Sequence, residues 1–358
     1  MRDDTRSSIL AMYRPSLIPL EDNLTAAVFP LMKIFPAEFC VHKAAEAGQI
    51  TPESLIVESS SGTMALGLAI VCNAYRYRLT IVTDNACDDA LRRRLEDLGA
   101  TVERVSGPAA TGGYQRARLE RLHEICASTR DHWWVNQYDN PANGGSYAAF
   151  ADHLVESLGQ VDCLVATVGS GGSACGTTRA LREKFPHLQL IGVDTFGSVL
   201  FGQPDAPRKL RGLGNSLFPR NLDHSAFDEV HWVSAAEANM ATRRLHQKTT
   251  LFRGATSGAC WQVARHWALR HPRARVVCIS PDDGYRYVHS VYDDEYLQEN
   301  ELWLSDPRRD PLEVTSPLEA ESAWSCIRWN RRTYREVVGA EPSEVASGAA
   351  VGGAKTRV

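Results

Sequence analysis

Several features that would assign a function at once are missing from this sequence. No apolar run approaches the roughly 20 residues of a membrane-spanning helix, and the first ten residues mix acids and bases without the apolar core of a signal peptide. The nine cysteines are scattered, with no Cys-x-x-Cys pair and no His/Cys cluster at metal-ligand spacing. The formal net charge of −4 indicates no basic surface for nucleic acid. We therefore expect a cytoplasmic protein that binds no metal, membrane or nucleic acid.

What the sequence does have is the composition of a globular protein. Hydrophobic residues make up 44% and charged residues 23% of its 358 residues. This length predicts one large domain or two domains of medium size.

The most informative stretch is 165–176, VATVGSGGSACG. An apolar run ends there in a glycine- and serine-rich turn, and a helical pattern follows from about Gly176. Glycines let the backbone approach an anion closely, and the free N–H groups of a helix start point toward it. The glycines do not have the dinucleotide spacing, and no P-loop lysine follows. The stretch therefore indicates a phosphate site, with an ordinary strand–helix turn as the alternative.

Two further strand–turn–helix units have hydroxyl-rich turns, at 58–63 and 254–258. Serines often cap helices without binding a ligand, so each turn alone has a purely structural explanation. In a sheet with alternating strands and helices, however, all such turns gather at the carboxyl ends of the strands. Three of them, together with Lys33 in an apolar stretch, predict one site for a multiply anionic ligand.

These turns resemble motifs of the fold-type II pyridoxal-phosphate (PLP) enzymes, specifically the cysteine synthase and cystathionine β-synthase group. Six stretches match that group's motifs in the same order, namely 60–63, 136–143, 169–173, 212–214, 254–258 and 281–287. The resemblance extends from about Pro15 to Leu297. Within the group, the stretches 111–114, 134–138 and 194–199 are most similar to the type that joins O-phosphoserine to glutamate, which suggests specialised metabolism.

The resemblance implies roles for individual residues. Lys33 would carry PLP as a Schiff base, and the Thr256 hydroxyl would meet the pyridine nitrogen. The implied cofactor-binding residues are Thr63, Gly169, Ser170, Gly171, Gly172, Ser173, Gly214 and Thr256. The implied substrate-binding residues are Ser60, Ser61, Gly62 and Gln137.

The assignment of Lys33 depends on spacing, because the family's lysine motif is not preserved around it. The family's lysine lies about fifteen residues before a glycine that precedes a strand, and counting back from Gly48 leads to Lys33. Lys43 is the alternative, but it lies close to the strand on a predicted solvated helix face. The family's NPxGS is replaced by Ala27 to Leu31, AVFPL, and its cofactor-contacting asparagine by Thr63.

The family resemblance also implies an α/β fold of the tryptophan synthase β-like type, with two doubly wound domains and the site between them. We expect residues 1–45 and 148–304 to form the large PLP-binding domain and residues 46–147 a smaller, partly mobile one. Residues 305–358 would be a C-terminal extension with a weak helix at 319–338 and a disordered end. A homodimer is expected by analogy.

Three functions follow from these expectations. The first is PLP-dependent β-replacement on an activated serine or a cysteine-type amino acid through an aminoacrylate intermediate, giving cysteine or a diaminopropionate-type product. The second is β-elimination or deamination, which releases pyruvate or hydrogen sulfide without a second substrate. The third is a catalytically degenerate subunit without PLP, suggested by the lost lysine motif.

Overall fold

The computed structural model describes residues 12–110, 113–210, 212–321, 323–339 and 341. The strands are β1 (Ser16–Glu21), β2 (Leu24–Val28), β3 (Leu55–Ser59), β4 (Arg78–Thr83), β5 (Thr101–Arg104), β6 (His132–Trp134), β7 (Cys163–Thr167), β8 (Gln189–Asp194), β9 (Glu229–Val233), β10 (Val276–Ser280), β11 (Leu312–Glu313) and β12 (Trp324–Arg328). The helices are α1 (Ile34–Glu46), α2 (Thr63–Tyr75), α3 (Asp89–Asp97), α4 (Gly113–Ser128), α5 (Pro141–Gly145), α6 (Ala148–Leu158), α7 (Gly172–Lys184), α8 (Ala235–Thr249), α9 (Ala255–Arg270), α10 (Asp294–Glu299) and α11 (Tyr334–Val338). Within these residues, no helix is long and apolar enough to cross a membrane.

The larger sheet has the strand order β1-β2-β10-β7-β8-β9-β12-β11. Its five central strands are parallel, and β1 and β12 join them antiparallel. In β7, Leu164 and Ala166 face the core cluster that contains α6 and α7, whereas Cys163 and Val165 face the cluster that contains α8 and α9. Because both faces are covered by helices, the central strands read as continuous apolar runs rather than alternating ones.

The smaller sheet is entirely parallel, in the order β5-β4-β3-β6. Ile56 and Ile81 pack against α1, α2 and α3. Val57 and Val82 face the other way and pack against α4. The alternation of side chains along β3 and β4 therefore fixes which helices lie on each face.

The two sheets meet where the chain leaves β2 and enters α1. The Phe29 N–H donates to the Ser280 carbonyl oxygen, and the Met32 N–H donates to the Pro281 carbonyl oxygen, each at 2.9 Å. On the other side, a Cβ on Gly67 of α2 would lie 2.8 Å from the Lys33 carbonyl oxygen. Only glycine allows α2 to approach this close, so Lys33 is held between β10 of the large sheet and α2 of the small one.

The structure confirms most predicted strands and helices and corrects several. The predicted helix at 319–338 is wrong, because Trp324–Arg328 is a strand paired with β9 and only Tyr334–Val338 is helical. Helix α7 begins at Gly172 rather than near Gly176, and the loop after β6 contains the short helix α5. The C-terminal end, where disorder is expected, lies outside the described residues. Thr111 and Gly112 lie outside them as well. The division into domains remains a prediction.

Candidate active site

Lys33 is partly buried at the start of α1. Burial lowers the pKa of Lys33 from 10.5 to about 8, although Glu58 and Cys40 act in the opposite direction. An amine with this pKa is partly uncharged near neutral pH and can act as a nucleophile or a base. Lys43, the alternative, is exposed and donates to Glu46 at 2.9 Å.

Glu58, at the end of β3, is a buried carboxylate that sequence reasoning did not assign to the site. Only 1% of it is exposed, and burial raises its pKa to about 7. Its oxygens accept the N–H of Ser59 at 2.7 Å and that of Gln137 at 3.1 Å. An acidic residue at the end of an otherwise apolar strand was the signal that could have identified it.

The serines that follow Glu58 have different roles. The Ser60 hydroxyl accepts the N–H groups of Gly62 at 3.3 Å and Ala65 at 3.2 Å. It therefore caps α2, which is the alternative to ligand binding that the sequence left open for this turn. The Ser61 hydroxyl accepts instead from Arg118 of α4, at 2.9 Å. Thr63 begins α2, and a Cβ on Gly62 would meet no atom within 4 Å, which leaves space beside this turn.

Arg118 is the second residue that sequence reasoning missed. It pairs with Asp84 at 3.0 Å, and the side chains are 6% and 7% exposed. The sequence signal was present, because Arg118 stands on the buried face of α4 together with Leu119, Leu122 and Ile125. A buried cation therefore contacts the turn that was predicted to bind a substrate carboxylate.

The glycine turn at 169–173 is shaped by close backbone contacts. Gly171 has φ +80°, and a Cβ there would lie 2.6 Å from Leu222 Cα. A Cβ on Gly172 would lie 2.4 Å from Asn143 Oδ1. No described side chain caps the start of α7, so its amide groups are available to an anion.

Hydrogen bonds connect Gln137 to both turns. Its side-chain amide donates to the Ser59 carbonyl oxygen at 3.2 Å. Asn143 Nδ2 donates to the Gln137 carbonyl oxygen at 2.6 Å and to Ser170 Oγ at 3.3 Å. Gln137 thus lies between the Ser59–Ser61 turn and the glycine turn.

The remaining predicted residues lie next to the glycine turn. The Gly214 N–H donates to the Val168 carbonyl oxygen at 2.9 Å, and a Cβ on Gly169 would lie 3.8 Å from the Gly212 carbonyl oxygen. A Cβ on Gly212 would lie 3.4 Å from Thr256 Cγ2 in the first turn of α9. The glycine turn, the 212–214 loop and Thr256 therefore form one continuous wall at the carboxyl ends of the large sheet.

Comparison with known proteins identifies the family of this fold. The family model described as "Pyridoxal-phosphate dependent enzyme" matches residues 32–282. The chain belongs to this family. The match begins just before Lys33 and ends at Asp282, so it includes every stretch of the site described above.

The named relatives of this chain are consistent with its assignment to the PLP-dependent family. It is 37% identical over 268 residues to the N-(2-amino-2-carboxyethyl)-L-glutamate synthase of Cupriavidus metallidurans, covering 73% of this chain and 79% of the relative. It is 38% identical over 293 residues to that of Ralstonia nicotianae, covering 78% and 87%. The O-acetylserine dependent cystathionine beta-synthase of Helicobacter pylori has a TM-score of 0.72 and 26% identity over 80% of this chain and 97% of its own.

These comparisons confirm the family resemblance, the fold-type II architecture and the cofactor. The chain is a PLP-dependent enzyme with the architecture of the cysteine synthase-like enzymes. The residues present fit PLP. The uncapped start of α7 and its glycines suit a phosphate, and the depressed pKa of Lys33 suits covalent attachment.

The pKa of Lys33 predicts how cofactor uptake depends on pH. Lys33 would hold PLP only through its uncharged amine, whose fraction grows about tenfold per pH unit below a pKa of about 8. The rate of PLP uptake by apoenzyme, followed by visible absorbance, should therefore rise about tenfold from pH 6 to pH 7 and level off above about pH 8. A rate that keeps rising to pH 10 would contradict the lowered pKa.

Proposed function

We propose that this enzyme joins a serine derivative bearing a leaving group on Cβ to the amino group of glutamate, forming N-(2-amino-2-carboxyethyl)-L-glutamate. The names of the two relatives at 37% and 38% identity support this product. The single structural observation that carries the proposal is the buried Arg118, which donates to Ser61 at the turn that would receive the substrate. Because Arg118 is paired with the buried Asp84, its contribution is to hold the Ser61 hydroxyl in place for a substrate carboxylate rather than to add net charge.

The proposed roles follow from the positions of the residues. Lys33 would hold the cofactor and would act as the general base that takes the α-proton of the substrate. Gly169, Ser170, Gly171, Gly172 and Ser173 would hold the phosphate together with Gly214, the Thr256 hydroxyl would bind the ring nitrogen, and Thr63 would be a further cofactor-binding residue. When bound, PLP supplies an electron sink for the α-carbon.

The substrate carboxylate would be held by Ser60, Ser61, Gly62 and Gln137. The Ser60 hydroxyl is engaged in capping α2, so its contribution is to fix the backbone of the turn. The Ser61 hydroxyl, which accepts from Arg118, is left with its own hydrogen to donate to a carboxylate oxygen. Arg118 therefore orients Ser61 for binding, and Asp84 in turn orients Arg118.

Three further expectations follow from analogy with the family. They are a cytoplasmic location, a homodimer, and a large domain of residues 1–45 and 148–304 beside a smaller domain of residues 46–147.

The experiment that tests the proposal is a product analysis with matched substrates. Purified enzyme with PLP is given O-phosphoserine or O-acetylserine, each with glutamate or sulfide, and products are identified by mass spectrometry beside a pyruvate assay. We expect the joined amino acid with glutamate and one of the two serine derivatives. Cysteine formed from sulfide without use of glutamate would instead make the enzyme a cysteine synthase, and pyruvate alone would make it a lyase.

A further inference from the structure

The side chain of Gln115, in the first turn of α4, bridges the two sheets. Its amide nitrogen donates to Asn215 Oδ1 at 2.8 Å and to the Tyr138 hydroxyl at 3.3 Å, and its amide oxygen accepts the Ser216 N–H at 3.2 Å. Helix α4 packs on the small sheet, whereas Asn215 and Ser216 lie in the loop that carries Gly214 on the large sheet. One side chain therefore uses both of its polar atoms to connect opposite sides of the site.

The bridge continues to the glycine turn. Asn215 is 2% exposed, and its amide nitrogen donates to the Gly169 carbonyl oxygen at 3.4 Å. Its backbone N–H donates to Ser198 Oγ at 3.1 Å, so the large sheet fixes its position. One turn further along α4, Arg118 contacts Ser61. Arg118 thus connects the start of α4 to the proposed substrate turn. Gln115 connects it, through Asn215, to the proposed phosphate turn.

Water exclusion matters in this reaction class because two outcomes compete. In both, the α-proton is lost and the bond from Cβ to the leaving group breaks with its electron pair on the leaving group. In replacement, the nucleophile's lone pair then forms a new bond to Cβ, the nucleophile loses a proton and Cα regains one. If no nucleophile adds, Cβ takes up a proton and one water displaces the nitrogen, giving pyruvate and ammonium. Because water is a reactant only in the second outcome, a site that excludes water favours the first.

We propose that Gln115 is a positioning residue that holds the two sides of the site together during the reaction, so that addition of the nucleophile outcompetes release of pyruvate. The inference rests on the proposed function, because only a replacement enzyme has this competition to control. It assigns Gln115 no contact with substrate or cofactor.

The test compares Gln115→Ala and Gln115→Glu with wild type as full-length, PLP-loaded enzymes. The side chain in Gln115→Glu has the same size and still accepts the Ser216 N–H, but it places a carboxylate oxygen next to Asn215 Oδ1. We expect the ratio of pyruvate to replacement product to rise about tenfold in both variants. Gln115→Ala loses all three hydrogen bonds of this side chain, and Gln115→Glu loses the two that its amide nitrogen donates. The matched control is Arg116→Ala, because Arg116 pairs within α4 with Glu120 and should leave the ratio unchanged.

A second measurement separates positioning from general damage. Amide hydrogen exchange at Ser216 should be about tenfold faster in Gln115→Ala and unchanged in Arg116→Ala, with the same unfolding midpoint for all proteins. If wild type forms a replacement product and Gln115→Ala keeps its pyruvate ratio, the inference is wrong even if the exchange changes. The ratio is measured with both glutamate and sulfide. If the enzyme joins sulfide but not glutamate, the proposed function is wrong, but the ratio still tests the role of Gln115. A wild type that releases only pyruvate with either nucleophile overturns both.

Discussion

Lys33→Ala is expected to abolish the visible absorbance of bound PLP and to lower turnover by on the order of 10³-fold or more, since the variant loses both the covalent attachment and the general base. The other residues that would hold PLP remain in Lys33→Ala, so some non-covalent binding should persist. Fluorescence titration with PLP measures it, and the absorbance spectrum shows whether a covalent bond forms.

The matched control is Lys43→Ala. Lys43 is on the same helix and exposed, and its ion pair with Glu46 is a surface one, which contributes little to stability. We expect Lys43→Ala to keep wild-type absorbance and turnover. The opposite pattern, with activity lost in Lys43→Ala and kept in Lys33→Ala, would transfer the lysine assignment to the alternative that the sequence left open.

The second large effect is expected from Gly171→Ala. A non-glycine residue at φ +80° costs about 1–2 kcal/mol, and overpacking against Leu222 Cα at 2.6 Å adds about 1–3 kcal/mol. The turn must move, so the Kd for PLP, measured by titrating apoenzyme, should rise by about 30-fold or more, with a lower unfolding midpoint.

Gly107→Ala is the control for this substitution. A Cβ at Gly107 meets no atom within 4 Å and requires no left-handed backbone, so cofactor affinity and stability should match those of wild type. If Gly171→Ala binds PLP as tightly as Gly107→Ala does, the turn at 169–173 is not the phosphate site.

The parts of the fold that could be predicted are those whose signals are local. Each apolar run that ends in a glycine- and serine-rich turn and leads into a helix predicts a βα unit, and β3 and β7 follow this pattern. The predicted strand–turn–helix unit at 254–258 is wrong, because this segment follows helix α8 rather than a strand and residues 255–258 already belong to α9. The hairpin of β1 and β2 was less visible, because β2 contains Ala26 and Ala27, which have low strand propensity. Strand β12 was mistaken for a helix because its partner β9 lies far away in sequence.

The same distinction applies to the site. Backbone-shaping residues such as Gly171 could be predicted, since the turn requires them at one point of the chain. Arg118 and Gln115 could not, because their roles depend on partners from other segments, Ser61 and Asn215 respectively. The helical spacing of Arg118 with Leu119 and Leu122 indicates that it is buried, but not which residue it contacts. For Gln115, nothing local distinguishes its side chain from those that face solvent.

The strand order has a consequence for how the chain folds as it is synthesised. The small sheet needs only residues 55–134, which leave the ribosome early and in sequence. In the large sheet, β2 has no parallel partner until β10 has been synthesised, and the edge of β9 stays unpaired until β12 has been synthesised. We therefore expect nascent chains to carry a formed small sheet while β1 and β2 remain unpaired with the large one. Truncation before Trp324 would leave the edge of β9 open to pairing with other chains.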